Sequence, residues 1–266
     1  IVIIIRKVKL QKLLMKILLI ILIPVVLFAC KEVAKVEKIQ SLTAEQIIAE
    51  AIDNSCQENC ERAQIEFTFR DKTYKSTWNK GKYQLERTKI DGKNTIQDVI
   101  SNEGLKRYIN EIETIVNDTM ITRISDGVNS VHYFAQLPFG LNNQAVQKKL
   151  IGEDSINNNN YYEIEVTFKE EGGGTDFEDV FVYWIHKQDF TVDYLAYRYA
   201  VNGGGIRFRE AYNARVINGI RFVDYNNYKP ESKEIMLSDL DRLFIKGKLK
   251  LVSKIETENI TVSLLD

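Results

Sequence analysis

The chain has 266 residues, 44% of them hydrophobic, and a formal net charge of −1, which is enough for one large domain with a real core. Residues 1–29 hold five basic side chains and no acid, which leaves the remainder at −6. A mildly acidic body argues against nucleic acid, which would ask for a basic patch, and no nucleic-acid partner is expected.

The first methionine is Met15, and Met15 to Cys30 reads MKILLIILIPVVLFAC. A single Lys16 followed by an apolar run from Ile17 to Ala29 has the shape of an export signal. The run is shorter than the roughly 20 residues that a spanning helix needs. It ends in Leu27-Phe28-Ala29-Cys30, which resembles the lipobox of bacterial lipoproteins, with Phe28 bulkier than is usual at its position. The resemblance implies that Cys30 carries lipid and becomes the mature N-terminus, so that the chain meets the membrane through this anchor. Because Lys31 rather than Asp follows, it also implies the outer membrane, with the body facing the periplasm. Residues 1–29 are then an upstream extension plus signal peptide, 30–41 the lipidated Cys and a charged tether, and 42–266 a single β-rich domain. Export permits a disulfide, and Cys56 and Cys60, four apart, come within bonding range if their segment is helical. Metal binding by the pair is the rival reading, weakened because His132 and His186 are the only histidines and neither is near in sequence.

Thr43 and Gln46 form a capping box ahead of a helix to Asn54, with Ala44, Ile47, Ile48, Ala51 and Ile52 on one face. From Ala63, short alternating runs separated by Asp71-Lys72, Lys80-Gly81, Asp91-Gly92 and Asn102 to Gly104 read as consecutive hairpins. Asp118 is positioned to cap a second helix to Gln136, with a kink expected at Gly127. Gln144 to Leu150 reads as a further helical turn or two. YYEIEVTFKE is the next strand, and the stretch from Asp179 to Lys229 reads as a four-stranded meander. Asn218-Gly219 between ARVI and IRFV is a strong hairpin signal, because a type I′ turn needs φ > 0 at both central residues. A two-residue turn there sets Ile217 opposite Ile220 and, carried onward, Arg209 opposite Tyr228, Glu210 opposite Asn227 and Tyr212 opposite Tyr225. Leu237 to Leu249 reads as a short helix capped by Ser238, and KLVSKIETENITV as the last strand. The fold class is therefore α+β, mainly antiparallel β: a large curved sheet or half-open barrel of about ten strands, with two or three helices on its concave face.

Few residues suggest chemistry. His132 lies on an apolar helix face, the usual place of a core histidine satisfied by one hydrogen bond, and no nucleophile or second ligand stands at a recognisable spacing. The acidic loop EEGGGTDFED does not match a calcium-loop spacing, and Gly172 to Gly174 lacks the Lys-Ser/Thr of a phosphate cradle. No metal site and no cofactor is expected. A sheet this long, covered by short helices, leaves an apolar hollow. Its expected lining is Trp184, Tyr194, Phe208, Tyr212 and Phe222, with His132 nearby and Arg209 or Glu210 holding a head group. Which strand face points inward stays open, and cross-strand pairing on a solvated face is the stronger reading of Arg209 and Glu210.

Three stretches, VNSVHYFAQLPFGLN, EGGGTDFEDVFVYW and GGGIRFREAYNARVINGIRFVDYNNYKP, resemble a family of uncharacterised bacterial lipoproteins, a domain of unknown function after a lipobox. The helix-first, meander-later layout is similar to the lipoprotein-localisation-factor half-barrels, in architecture only. An aldolase label carried by some relatives is unsupported, because that chemistry uses a lysine on a parallel (β/α)₈ barrel and this chain lacks βα alternation. The leading expectation is an envelope lipoprotein binding an apolar or lipid-like ligand. Its rivals are an interaction lipoprotein with a filled core and, behind that, an enzyme. Replacing Cys30 with Ser is expected to release the protein from the membrane fraction. Retention there, with unprocessed wild type as the mature form, would refute the anchor.

Overall fold

Local turn chemistry sets the strand order. Asn218 and Gly219 both take positive φ, 46° and 80°, and Ile217 pairs with Ile220 across them. The same device, two successive residues with φ > 0, closes hairpins at Lys80-Gly81, Asn110-Glu111 and Asn157-Asn158. The structure, a computed structural model, describes residues 41–172, 174, 177–200 and 203–266; Cys30, the signal segment and most of the tether lie outside the described residues. Residues 42–266 form one compact unit.

Fourteen strands are present among the described residues, more than the ten or so read from sequence, and they form two seven-stranded sheets. Sheet 1 is a meander of β1 (Ala63–Phe69), β2 (Lys72–Asn79), β3 (Lys82–Asp91), β4 (Asn94–Ser101), β5 (Gly104–Ile109) and β6 (Ile112–Thr114). Sheet 2 is a meander of β7 (Val146–Ile156), β8 (Asn159–Phe168), β9 (Val180–His186), β10 (Val192–Tyr199), β11 (Gly205–Ile217) and β12 (Ile220–Lys229). The terminal hairpin divides itself between them: β13 (Lys250–Ile255) pairs with β12, and β14 (Glu258–Leu264) pairs with β1. The expected single last strand is thus two. The break falls at Thr257, whose N–H donates to Asp224 Oδ1 at 3.0 Å and whose carbonyl accepts from Arg215 Nη2 at 2.7 Å.

All pairing is antiparallel, and the large antiparallel sheets match the expected fold class. Two expectations change. The segment around Gln144 to Leu150 is not helical, because β7 begins at Val146 and pairs with β8. The β11–β12 register set by the Asn218-Gly219 turn holds for three pairs and then slips by one residue. The cause is a bulge centred on Asn213, which has φ 51° and donates its side-chain amide to Asp224 Oδ2 at 2.6 Å. Arg209 therefore faces Asn227, Glu210 faces Asn226 and Tyr212 faces Asp224.

Helix α1 (Ala44–Cys56) begins at Thr43 with both arms of the capping box made. It buries Ala44, Ile47, Ile48 and Ala51 against Ile164, Tyr183 and Leu195 on one face of sheet 2. Cys56, its last residue, is bonded to Cys60, with Cα atoms 5.6 Å apart. Helix α2 (Asp118–Ala135) is capped by Asn117, not Asp118: the Asn117 side chain accepts from Thr119 N at 3.0 Å. It runs unbroken through Gly127. A Cβ at that position would sit 3.0 Å from Arg87 Nη1, so the glycine serves a close pass over sheet 1 rather than a kink. The third helix, α3 (Leu240–Ile245), is shorter than expected. A 3₁₀ turn, Leu237–Asp239, precedes it, and no side chain caps either segment, Ser238 included. Leu237 and Leu240 are buried and Leu243 and Phe244 partly so, packing onto the opposite face of sheet 2.

Gly219→Val is expected to destabilise the protein by about 1–3 kcal/mol, the usual strain of a β-branched residue held at positive φ. A Cβ there would also meet Asn59 Nδ2 at 2.6 Å. The check is the urea midpoint, and an unchanged midpoint would refute the constraint.

Candidate ligand-binding cavity

Strand β9 explains how the site arises. Six of its seven residues are buried, from Phe181 to His186, because sheet 2 is covered on both faces. Phe181, Tyr183 and Ile185 point to the face that carries α1 and α2; Val182 and Trp184 point to the face under α3. The first face is only partly filled. Between it and α2 lies a cavity of about 880 Å³, toward the upper end of ordinary ligand sites.

One wall is α2, through Val131, Tyr133 and Phe134; the other is sheet 2, through Phe181, Tyr197, Val223 and Tyr225. Tyr133 and Tyr183 share a hydroxyl–hydroxyl hydrogen bond of 2.5 Å that ties helix to sheet. Burial raises the pKa of both hydroxyls, and it pushes Tyr225 up to about 12. These hydroxyls stay neutral at any physiological pH. Four arginines, Arg70, Arg123, Arg207 and Arg209, and two aspartates, Asp126 and Asp179, line the space, so its fixed charge is positive.

Arg209 is the distinctive group. It is only 6% exposed. Its guanidinium lies 3.6 Å from the Phe134 ring centroid and 5.1 Å from that of Tyr197, a cation–π box that offsets part of its desolvation. Nη2 donates to the Tyr197 hydroxyl at 2.8 Å. Nε and Nη1 are buried without a hydrogen-bond partner, and a buried charged donor left unpaired is costly. The arrangement can accept an anion on the free N–H edge while its apolar walls hold hydrocarbon.

Of the residues expected to line the hollow, Arg209 alone does. Trp184, Tyr194 and Phe208 alternate onto the other face of sheet 2, in a core closed by Leu240 and Phe244. Glu210 shares that face and accepts from Asn226 and Tyr228, each at 3.0 Å. Tyr212 is at the edge, donating to Glu256. Phe222 packs with Ile65, Phe67 and Tyr74 of sheet 1. His132 is 2% exposed and sits on the sheet 1 side of α2, where its Nε2 lies 3.0 Å from the Glu86 carbonyl oxygen. Among the described residues, His132 does not line the cavity that holds Arg209. Of the residues that sequence reasoning missed, Phe134, Tyr133, Tyr197 and Tyr225, Tyr197 alone carried an available signal: it is two from Tyr199 on β10 and pairs with Arg207, on the strand face that Arg209 shares.

The arrangement is that of a two-sheet antiparallel β protein with an aromatic, cationic cavity walled by one helix. The chain belongs to a family of unknown function (DUF6503), whose profile matches residues 16–257. No curated protein matches the sequence. Among solved structures it is similar to a LolA superfamily protein from Nitrosomonas europaea (12% identity, TM-score 0.48, 85% of this chain and 94% of that one). It is also similar to a DUF1329 family protein from Desulfovibrio piger (12%, 0.39, 83% and 93%). A third is a putative outer membrane lipoprotein-sorting protein domain from Vibrio parahaemolyticus (8%, 0.40, 77% and 98%).

Burial lowers the pKa of His132 from 6.5 to about 4. The ring stays neutral in the fold while the unfolded chain takes up a proton, so stability is full above pH 6.5 and falls as pH drops from there towards 4. The loss should reach about 3 kcal/mol, the free-energy equivalent of the shift. His132→Gln should be flatter than wild type over this window in urea unfolding. Parallel curves would refute a buried neutral ring.

Proposed function

We propose that the protein is a cell-envelope lipoprotein, anchored at Cys30 and facing the periplasm from the outer membrane, whose body holds an acyl-bearing ligand with an anionic head group. The observation that carries this reading is Arg209: a buried guanidinium with two partnerless nitrogens, set in an aromatic cavity of about 880 Å³. A carboxylate or phosphate supplies the acceptors those nitrogens lack, and charge-assisted hydrogen bonds of this type are the strong ones. Phe134, Phe181 and Tyr197 take the hydrocarbon, since apolar walls favour apolar ligands. The Cys56–Cys60 bond accords with an oxidising compartment.

The test is a titration of the body beginning at Lys31 with fluorescent acyl probes, one carboxylate and one neutral. Neither Trp184 nor any other tryptophan lines the cavity, so the probe's own emission is the readout. Saturable binding of the anionic probe is expected. Arg209→Met should weaken that binding about tenfold or more, the worth of a hydrogen bond to a charged group, and leave the neutral probe little changed. No saturable binding of either probe, with no co-purified lipid, would favour the filled-core interaction protein instead.

A further inference from the structure

The face of sheet 2 away from the cavity carries a second unusual cluster. Asp154 on β7, Glu163 on β8 and Asp241 in the first turn of α3 bring one carboxylate oxygen each to within 4.8 Å of the others. Glu163 is 8% and Asp241 0% exposed. Asp241 Oδ1 accepts from Arg242 N at 2.6 Å, but its Oδ2 is buried with no hydrogen-bond partner. Trp184 Nε1 donates to Glu163 Oε1 at 3.0 Å, which orients that carboxylate. Gly152 lies opposite Glu163 in the register, and a Cβ there would come within 2.8 Å of Glu163 Oε2, so the glycine makes room for the folded-back side chain.

The charge balance is poor as it stands. Among the described residues the cation paired with the cluster is Arg242, 3.5 Å from Asp154 and itself 63% exposed. Three carboxylates against one surface guanidinium leave a deficit of two charges in a mostly buried place, where unpaired charge is costly. All-oxygen ligands select hard divalent ions. Oxygens within 4.8 Å of one another suit calcium, which takes carboxylate oxygens at about 2.3–2.6 Å in flexible geometry, better than magnesium, which demands a near-ideal octahedron and keeps several of its waters.

We infer that Asp154, Glu163 and Asp241 form a calcium-binding site that clamps α3 onto sheet 2. The ion ties two strands to the one helix that closes the core around Trp184, Tyr194 and Phe208. The competing occupant is a proton: burial raises the Asp241 pKa to about 7, so an ion-free cluster would hold one.

The experiment uses the full-length protein in detergent, stripped with chelator and titrated with CaCl₂ by calorimetry, with MgCl₂ in parallel. One calcium per chain is expected, with Kd about 10⁻³ M or tighter as in extracellular calcium modules, together with a calcium-dependent rise in melting temperature. Terbium emission sensitised through Trp184 should appear and be displaced by calcium. Glu163→Gln and Asp154→Asn should each weaken binding by about tenfold or more, by analogy with the cost of disturbing a ligand shell. Absence of saturable calcium heat by folded wild type at about 10 mM, well above that range, would overturn the site. So would a stabilisation of Asp241→Asn that is the same with and without calcium.

Discussion

Helix α2 is the piece on which the rest depends, because it is held by both sheets at once. On one side Ile124, Val128 and His132 recur every four residues and are buried, and His132 reaches the Glu86 carbonyl. On the other side Tyr133 hydrogen-bonds Tyr183 of sheet 2. Two neighbouring residues thus face opposite sheets. Gly127 lets the helix approach Arg87 closely, and that arginine is itself pinned to Asp98 at 2.7 Å. A helix fixed in this way cannot settle fully onto sheet 2, and the gap it leaves is the cavity.

The charged groups of the interior follow one logic. Asp98 is fully buried but receives Arg87 and Arg107, at 2.7 and 2.6 Å. Asp224 likewise receives Arg215 and Asn213. Both carboxylates are answered by these donors, although Arg87 Nε is itself buried without a partner, and they act as structural fasteners. At Arg209 the unanswered atoms belong to a group that lines a cavity, and at Asp241 to a member of a carboxylate cluster. One is cationic in an aromatic hollow and the other anionic beneath a short helix, so the two faces of sheet 2 present opposite demands.

What was legible in the sequence was local. The Thr43–Gln46 box and the Asn218-Gly219 turn depend on residues a few positions apart, and both have the expected geometry. The β11–β12 register was legible only as far as Asn213, since a bulge leaves no signature beyond an asparagine that tolerates positive φ. The face assignment was not legible at all: in a strand such as VFVYWIH, apolar on both sides, alternation carries no information about inside and outside. That is why Trp184 and Phe208 were expected on the wrong side. Arg209 and Glu210 were singled out together, as charges on an aromatic hairpin, and alternation then sends them to opposite faces of sheet 2. The three carboxylates come from β7, β8 and α3, and nothing in their spacing announces that they meet.

The divided terminal hairpin bears on how the chain comes to be folded. Strand β14 lies beside β1, with the Leu265 N–H donating to the Arg62 carbonyl at 2.7 Å. Synthesis delivers β1 early and β14 late, so for most of that time β1 offers an unpaired strand edge, the kind of surface that invites wrong partners. Contacts of such long sequence separation are also the slow ones to form. Completion of sheet 1 is therefore a late event that depends on the C-terminal hairpin. The interval before it is when the chain is most open to aggregation and when a chaperone would have most to shield.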